Sequence, residues 1–331
     1  MKRWYIWFFS VSAAGLLFWT LTILFRSDPT EPLSVQNPVV VVMKSVAQPM
    51  DFWTVVGMGI SEASREFGIP IYITGPSHER EIDLQLRIFQ SALQQNPPLI
   101  ILVASDFERL REPVEQAQAL GIPVITMDSA VNSDIPITFV GTDNIEAGFR
   151  SGEHMGRLMK EFWNPGPVAI VSHIQETATG IDRERGVREA LSQAGIPVAG
   201  TWFAEVDQQI AYEITYELLD NPEITGFIAL NETTTLGMAQ AIADRGAHDR
   251  VIALGFDNAP PILSFMEQGV LRSTVVQRPY NMGYLAVRAA SDFLRGRRVP
   301  QLINTGSLLI TPENMFEREY QELLFPFADT M

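Results

Sequence analysis

Short, unbroken apolar runs recur along most of the chain, separated by stretches whose apolar positions follow helical spacing. The first half contains PVVVVMK (38–44), GIPIYITG (68–75), PPLIILVAS (97–105), GIPVITMD (121–128) and IPITFVGTD (135–143). The second half repeats the theme with GPVAIVSH (166–173), GIPVAGTWF (195–203), TGFIALN (225–231), RVIALGFD (250–257) and LRSTVVQ (271–277). Apolar runs of about four to eight residues without polar alternation suit strands covered on both faces, so the pattern predicts an α/β fold with parallel sheets. GMGISEASREFG and EREIDLQLRIFQSALQQ are among the helices expected between them. Gly-Ile-Pro occurs at 68, 121 and 195, each time after a helical stretch. Glycine supplies a left-handed cap and proline keeps the chain from re-entering a helix, so each copy marks a helix-to-strand joint.

The N-terminus has a different pattern. No charge interrupts Trp4 to Phe25, a run of about 22 residues, long enough to cross a bilayer core of roughly 30 Å as a helix. Lys2 and Arg3 precede it, which places the short N-terminus in the cytoplasm and the remainder outside. The sequence Arg26-Ser27-Asp28-Pro29 that follows lacks a small-x-small cleavage site, so residues 1–26 read as an uncleaved single-pass anchor rather than a removed signal peptide. Residues 27–37, with Pro29 and Pro32 and with Pro38 just beyond, read as a short stalk. At the other end, the apolar positions of MFEREYQELLFPFADTM (315–331) are expected to pack back on the protein or to meet a partner.

Composition narrows the function classes. The 331 residues carry 24 Lys+Arg against 39 Asp+Glu, a formal net charge of -15. That balance and the lack of a basic stripe argue against nucleic acid as a partner. Cysteine is absent, which removes disulfides, thiolate metal sites and a cysteine nucleophile. GMGISEA (57–63) imitates a dinucleotide fingerprint, but Glu62 stands at the third glycine and PMDFWTVV before it is broken by Pro49 and Asp51. No cofactor is expected, and Gly57 and Gly59 read as close-packing positions in a helix. His78, His154, His173 and His248 show no metal-ligand spacing, and only His173, at a strand end, is placed near a cleft. No metal site and no catalysis are expected.

The candidate site lies at the carboxyl ends of the strands, where open parallel sheets bind ligands. Asp128 follows VITM, Asn231 follows GFIAL, Asp257 follows VIALGF and Gln277 follows STVV. Arg183 and Arg185, in TGIDRERGVREAL, fall in the expected first turn of a helix, where the macrodipole disfavours cations. A ligand-facing guanidinium balanced by Asp128 and Asp257 explains Arg183, since its planar fork holds two oxygens at once. A nearby arginine would also keep both carboxylates ionised, which suits binding more than acid catalysis. Phe52 and Trp53, in the first βα loop, offer an aromatic wall for the C–H face of a sugar. Each residue has a structural alternative: the acids as helix caps, Arg183 paired with Asp182 or Glu184, the aromatics as core. Their coincidence at equivalent joints favours a site.

Taken in order, DFWTVVGMGISEASREFG, GIPVITMD, VGTDNIEAG, the DRERG stretch, LNETTTLG, ALGFDNAP and VVQRPYNMG resemble the ribose and galactose type of periplasmic sugar-binding proteins, the type I class. The resemblance runs from Val39 to Pro312. It implies two Rossmann-like lobes joined by three hinge crossovers near Gly141, Gln277 and Thr305. The N-terminal lobe then comprises 38–141 plus 278–305 and the C-terminal lobe 142–277 plus 306–331. It implies hydroxyl-binding roles for Asp128, Arg183, Asn231, Asp257 and Gln277, with Phe52 and Trp53 as the aromatic wall. Departures are Ser129, where ribose binders carry a second arginine, the lack of an aromatic residue at 206–208, and Glu232, where relatives often have Asp. Trp202 or Phe203 stands in for the missing aromatic if the register shifts. Regulators sharing this fold carry a helix-turn-helix before the lobes, a place taken here by the apolar span.

The expected function is a membrane-anchored extracytoplasmic protein that binds a monosaccharide or polyol between its lobes and by hinge closure signals to a membrane sensor histidine kinase. The alternative is delivery of the sugar to an ABC permease. A fixed tether, which raises the effective concentration for one partner, tilts the expectation to sensing.

Overall fold

The computed structural model describes residues 37–46 and 52–324. The anchor expected over 1–26, the stalk up to its last residue and the tail from 325 onward lie outside the described residues. Among the described residues no helix is long and apolar enough to cross a membrane.

The chain builds β1 (Val39–Val42), α1 (Phe52–Phe67), β2 (Ile71–Thr74), α2 (Ile82–Gln94), β3 (Ile100–Leu102), α3 (Arg111–Ala119), β4 (Val124–Met127) and β5 (Phe139–Gly141) into a first lobe. It then crosses to a second lobe of α4 (Asn144–Glu161), β6 (Val168–Ser172), α5 (Ala178–Ala194), β7 (Val198–Phe203), α6 (Gln208–Leu218), β8 (Gly226–Ala229), α7 (Glu232–Asp244), β9 (Ile252–Phe256), α8 (Pro260–Glu267) and β10 (Ser273–Val276). It returns to the first lobe for α9 (Pro279–Leu294) and β11 (Leu302–Asn304), then ends in the second with β12 (Leu308–Ile310) and α10 (Arg318–Leu324). The sheet orders are β11-β5-β4-β3-β1-β2 and β12-β10-β9-β8-β6-β7.

Every apolar run read as a strand contains one. The central strands are buried on both faces because successive side chains point opposite ways: Val39 and Val41 enter one core cluster and Val40 and Val42 the other. The first sheet is wholly parallel, whereas β12 pairs antiparallel with β10, so the second sheet is mixed rather than parallel throughout. The cause is direction of entry. Parallel strands finish at the cleft, and β12 starts there, so it runs the other way.

The Gly-Ile-Pro joints hold their glycines at φ +64°, +74° and +73°, the left-handed caps expected. Several helix pairs cross at glycine contacts. A Cβ on Gly59 would meet the carbonyl oxygen of Tyr280 at 2.0 Å, and one on Gly148 would meet that of Arg183 at 2.1 Å. Gly57, paired with Gly59 in the sequence reading, has open space beside it and is no packing position. Near the C-terminal end, Met315 and Leu324 are buried in the second lobe's core, with Tyr320 and Leu323 against it.

Candidate functional site

The three passages of the chain from lobe to lobe lie side by side and are hydrogen-bonded to one another. Thr305 N–H donates to the Gly141 carbonyl at 2.8 Å, and Asn304 Oδ1 accepts from the amides of Asp143 (3.2 Å) and Gly306 (2.8 Å). Thr142 Oγ1 donates to Gln277 Oε1 at 3.1 Å. The lobes also meet at the cleft mouth. Phe107 N–H, after β3, donates to the Glu176 carbonyl, before α5, at 2.9 Å, and Arg80 Nη1 stands 3.9 Å from Asp207 Oδ2. The structure is therefore closed over its cleft.

Between the lobes lies a cavity lined by Lys44, Phe52, Trp53, Glu79, Asp128, His173, Thr179, Arg183, Val206, Asn231, Glu232, Thr233, Asp257 and Gln277. All seven sequence-predicted site residues are in this lining. Phe52 and Trp53 form the first turn of α1 rather than the expected loop, their rings edge to face at 4.9 Å. Trp53 Nε1 donates to Glu79 Oε1 at 2.7 Å, which fixes the indole from the loop before α2.

Asp128 and Asp257 occupy corresponding places beyond β4 and β9, both left-handed at φ +60° and +69°. Each donates its backbone N–H to the neighbouring strand, at Val140 and Val275. That geometry turns both carboxylates into the cavity, at a conformation that Asp tolerates better than most residues. Asp128 accepts from Lys44 Nζ at 3.2 Å, a buried ion pair joining the ends of β4 and β1. Asp257 Oδ1 accepts from Gln277 Nε2 at 2.8 Å, which carries the Thr142 contact from one passage into the site. Burial pushes the Asp257 carboxyl above its ordinary range against the opposing pull of Arg183 and Gln277. Arg183 favours the ionised carboxylate, as expected of it, and burial opposes that pull.

α5 starts at Ala178, with Thr177 as its cap, so Arg183 falls in its second turn and Arg185 at the start of its third, neither in the first. The dipole penalty, confined to the first turn, does not apply. Arg185 is exposed, whereas Arg183 is buried against the Phe256 ring, its Cζ 4.7 Å from the centroid. Its partners are neither Asp182 nor Glu184. Arg183 Nε donates to Asn144 Oδ1 at 2.8 Å and Nη1 to the Leu230 carbonyl at 2.7 Å. Among the described residues Nη2 has no hydrogen-bond partner, so the edge left for a ligand is the Nη1–Nη2 edge. Asn231 is both cap and cavity wall: its Oδ1 accepts from the Thr234 amide at 3.0 Å within a capping box.

Val206 also lines the cavity, from the second lobe, at φ +54° after Glu205 at +50°. Neither Trp202 nor Phe203 lines the cavity, and Trp202 packs on the second lobe's core. His173 lines the cavity as buried imidazole, with Nε2 2.9 Å from Thr177 Oγ1 and 3.2 Å from Thr179 Oγ1. Sequence reasoning missed Lys44, Glu79, Thr179, Val206 and Thr233 as cavity residues. Lys44 was open to the strand-end rule, because it closes PVVVVMK as Asp128 closes VITM. Glu79 and Thr233 carry no comparable signal.

Residues 39–298 match the family described as periplasmic binding protein domain. The chain belongs to this family. Among curated members, the D-allose-binding periplasmic protein of Escherichia coli (strain K12) is 26% identical over 286 residues, 82% of this chain and 91% of that protein. A carbohydrate transporter solute-binding protein from Agrobacterium radiobacter, solved with D-arabinose, superposes with a TM-score of 0.83 at 26% identity, covering 88% of this chain and 100% of the other. An ABC transporter solute-binding protein from Agrobacterium vitis with bound D-fucose gives 0.81 at 27% identity, covering 87% and 100%. These family members share the two-lobe α/β architecture, which fits the extracytoplasmic placement of the domain.

Proposed function

We propose that the protein is an extracytoplasmic solute-binding protein that takes a monosaccharide or related polyol into the interlobe cavity and presents it to an ABC permease. The observation that carries the reading is the cavity itself, where an aromatic wall faces buried hydrogen-bonding groups drawn from both lobes. Lys44 is matched by Asp128, and Arg183 stands beside Asp257, so each cation in the wall has a carboxylate near it. Such a wall offers donors and acceptors to hydroxyl groups while the aromatic face takes up C–H surface. Asp128, Arg183, Asn231, Asp257 and Gln277 read the hydroxyls in this proposal, and Phe52 and Trp53 supply the stacking surface.

Closure follows from the three passages, about which the lobes separate and rejoin. A ligand held by one lobe is then clasped by the other, which shifts the population to the closed form. Delivery to a permease is supported by the similarity to solute-binding proteins of carbohydrate and ABC transporters. Sensing through a kinase rests only on the tether expected at the N-terminus, and takes second place. Anchoring by residues 4–25 belongs to the proposal in either case.

A thermal-shift panel of pentoses, hexoses, polyols and inositols, run on the full chain in detergent, tests this reading. A sugar that binds only the native state adds about 2.7 kcal/mol of stability at a hundredfold excess over Kd. The expected result is a clear rise in Tm for one ligand group. A folded protein indifferent to the entire panel contradicts the assignment.

A further inference from the structure

Lys44 and His173 hold the same place in the two lobes. Counted from Val39 and Val168, where β1 and β6 begin, they fall at equivalent positions, and closure brings both into one cavity with Arg183. Both side chains are buried. The hydroxyl contacts of the ring assign its tautomer. Thr177 Oγ1 lies 3.0 Å from the Ile174 carbonyl and accepts from the Gly180 amide at 3.2 Å. A hydroxyl has one proton. Given to that buried carbonyl, it leaves Thr177 an acceptor toward His173, so Nε2 carries the imidazole hydrogen. Nδ1 is buried and has no partner among the described residues.

A second ring proton would therefore create a buried N–H with nothing to receive it, and a third cation beside Lys44 and Arg183. The acids around the cavity do not relieve this. Asp128 accepts from Lys44, Asp257 from Gln277 and Glu79 from the Trp53 indole, and Glu232 completes the set. Glu176 and Glu205, close to the ring along the backbone, point to solvent.

We propose that Lys44 and His173 form a proton-sensitive closure switch: the lobes close on the neutral imidazole, and a proton on His173 holds them apart. The inference rests on the interlobe cleft being the ligand site. Burial, then Lys44, then Arg183 push the ring well below its ordinary value of 6.5 in the closed form. Opening withdraws Lys44 and admits water, which returns the ring toward that value. The closed form is thus fully favoured above the open-form value and loses ground as pH falls below it. Ligand is released in acid.

The chain has no cysteine, so Glu108→Cys and Gln175→Cys, exposed on opposite lips of the cleft, take spin labels cleanly on the full chain in detergent. The inter-label distance should lengthen from about pH 7.5 to about pH 5, and should stay constant in His173→Gln, whose amide retains a group near Thr177. For a sugar found by the panel, Kd should rise by up to about tenfold per pH unit over that window in the wild type only. Titration in buffers of different ionisation enthalpy should show proton release on binding near about pH 6. A pH-independent distance in the wild type, or an equal acid response in His173→Gln, overturns the switch. Should that variant fail to fold, binding without proton release by the wild type overturns it. Should no sugar bind, the functional reading fails while the label distance still decides the switch.

Discussion

Arg183 serves the fold and the cavity together, and that decides what its loss does. It is buried, stacked on Phe256 and bonded to Asn144 and Leu230. Arg183→Ala removes two charge-assisted bonds and leaves a void, so we expect about 2–4 kcal/mol of lost stability in chemical denaturation. Sugar affinity should fall by more than about a hundredfold in calorimetry, because the free Nη edge goes with it. A stability unchanged from wild type would show the packing role to be wrong. Asp257→Asn separates the two effects, since asparagine accepts φ +69° and keeps an oxygen for Gln277. Its stability should stay within about 1 kcal/mol of wild type, while affinity drops with the lost charge. At this scale the sequence exposes residues whose type is unusual for their place, such as the acids and amides that close apolar strands. Lys44 lay within reach of the same rule, but its burial was not legible, because that depends on Asp128, 84 residues away. Glu79 escapes because only the folded loop brings it to Trp53.

Helix crossings set the positions of these side chains. Gly148 lets α4 lie directly on the backbone at Arg183, so Gly148→Ala must push α4 from α5, with a Cβ only 2.1 Å from that carbonyl oxygen. We expect a loss of about 1–3 kcal/mol together with weakened binding, as Asn144 on α4 and Arg183 on α5 part company. Full stability in thermal denaturation would contradict the crossing. The elements legible beforehand are those with continuous apolar runs, β1 to β10, and the joints punctuated by Gly-Ile-Pro. β11 and β12 were not legible. Each is three residues long, and Leu302 of β11 is exposed, so neither presents the buried run that marks a central strand. The reversed direction of β12 has no sequence signature at all, because it follows from where the hinge delivers the chain.

For the whole molecule, the contacts at the cleft mouth differ in weight from those at the passages. The Arg80–Asp207 pair is exposed at Arg80 and half-buried at Asp207, with its charges 3.9 Å apart, and such surface pairs contribute about 0–1 kcal/mol. Arg80→Ala should therefore change sugar affinity by no more than about fivefold, read by calorimetry at two salt concentrations. A larger loss would make this pair a main fastening of the closed form. The architecture was legible through the order of weak motifs taken together, whereas the choice between transport and sensing was not, since it depends on a partner's surface that no residue here encodes. The threaded order of the two lobes has one more consequence. β11, the edge strand of the first sheet, and α9, the helix crossing α1 at Gly59, arrive after the second lobe's first ten elements have been made. A chain emerging from the ribosome thus holds its first lobe incomplete until residue 304 is out, with the apolar flank of α1 uncovered. A genetic cut after Gly141 leaves a core without its sixth strand and the helix that covers α1, and so not an autonomous module.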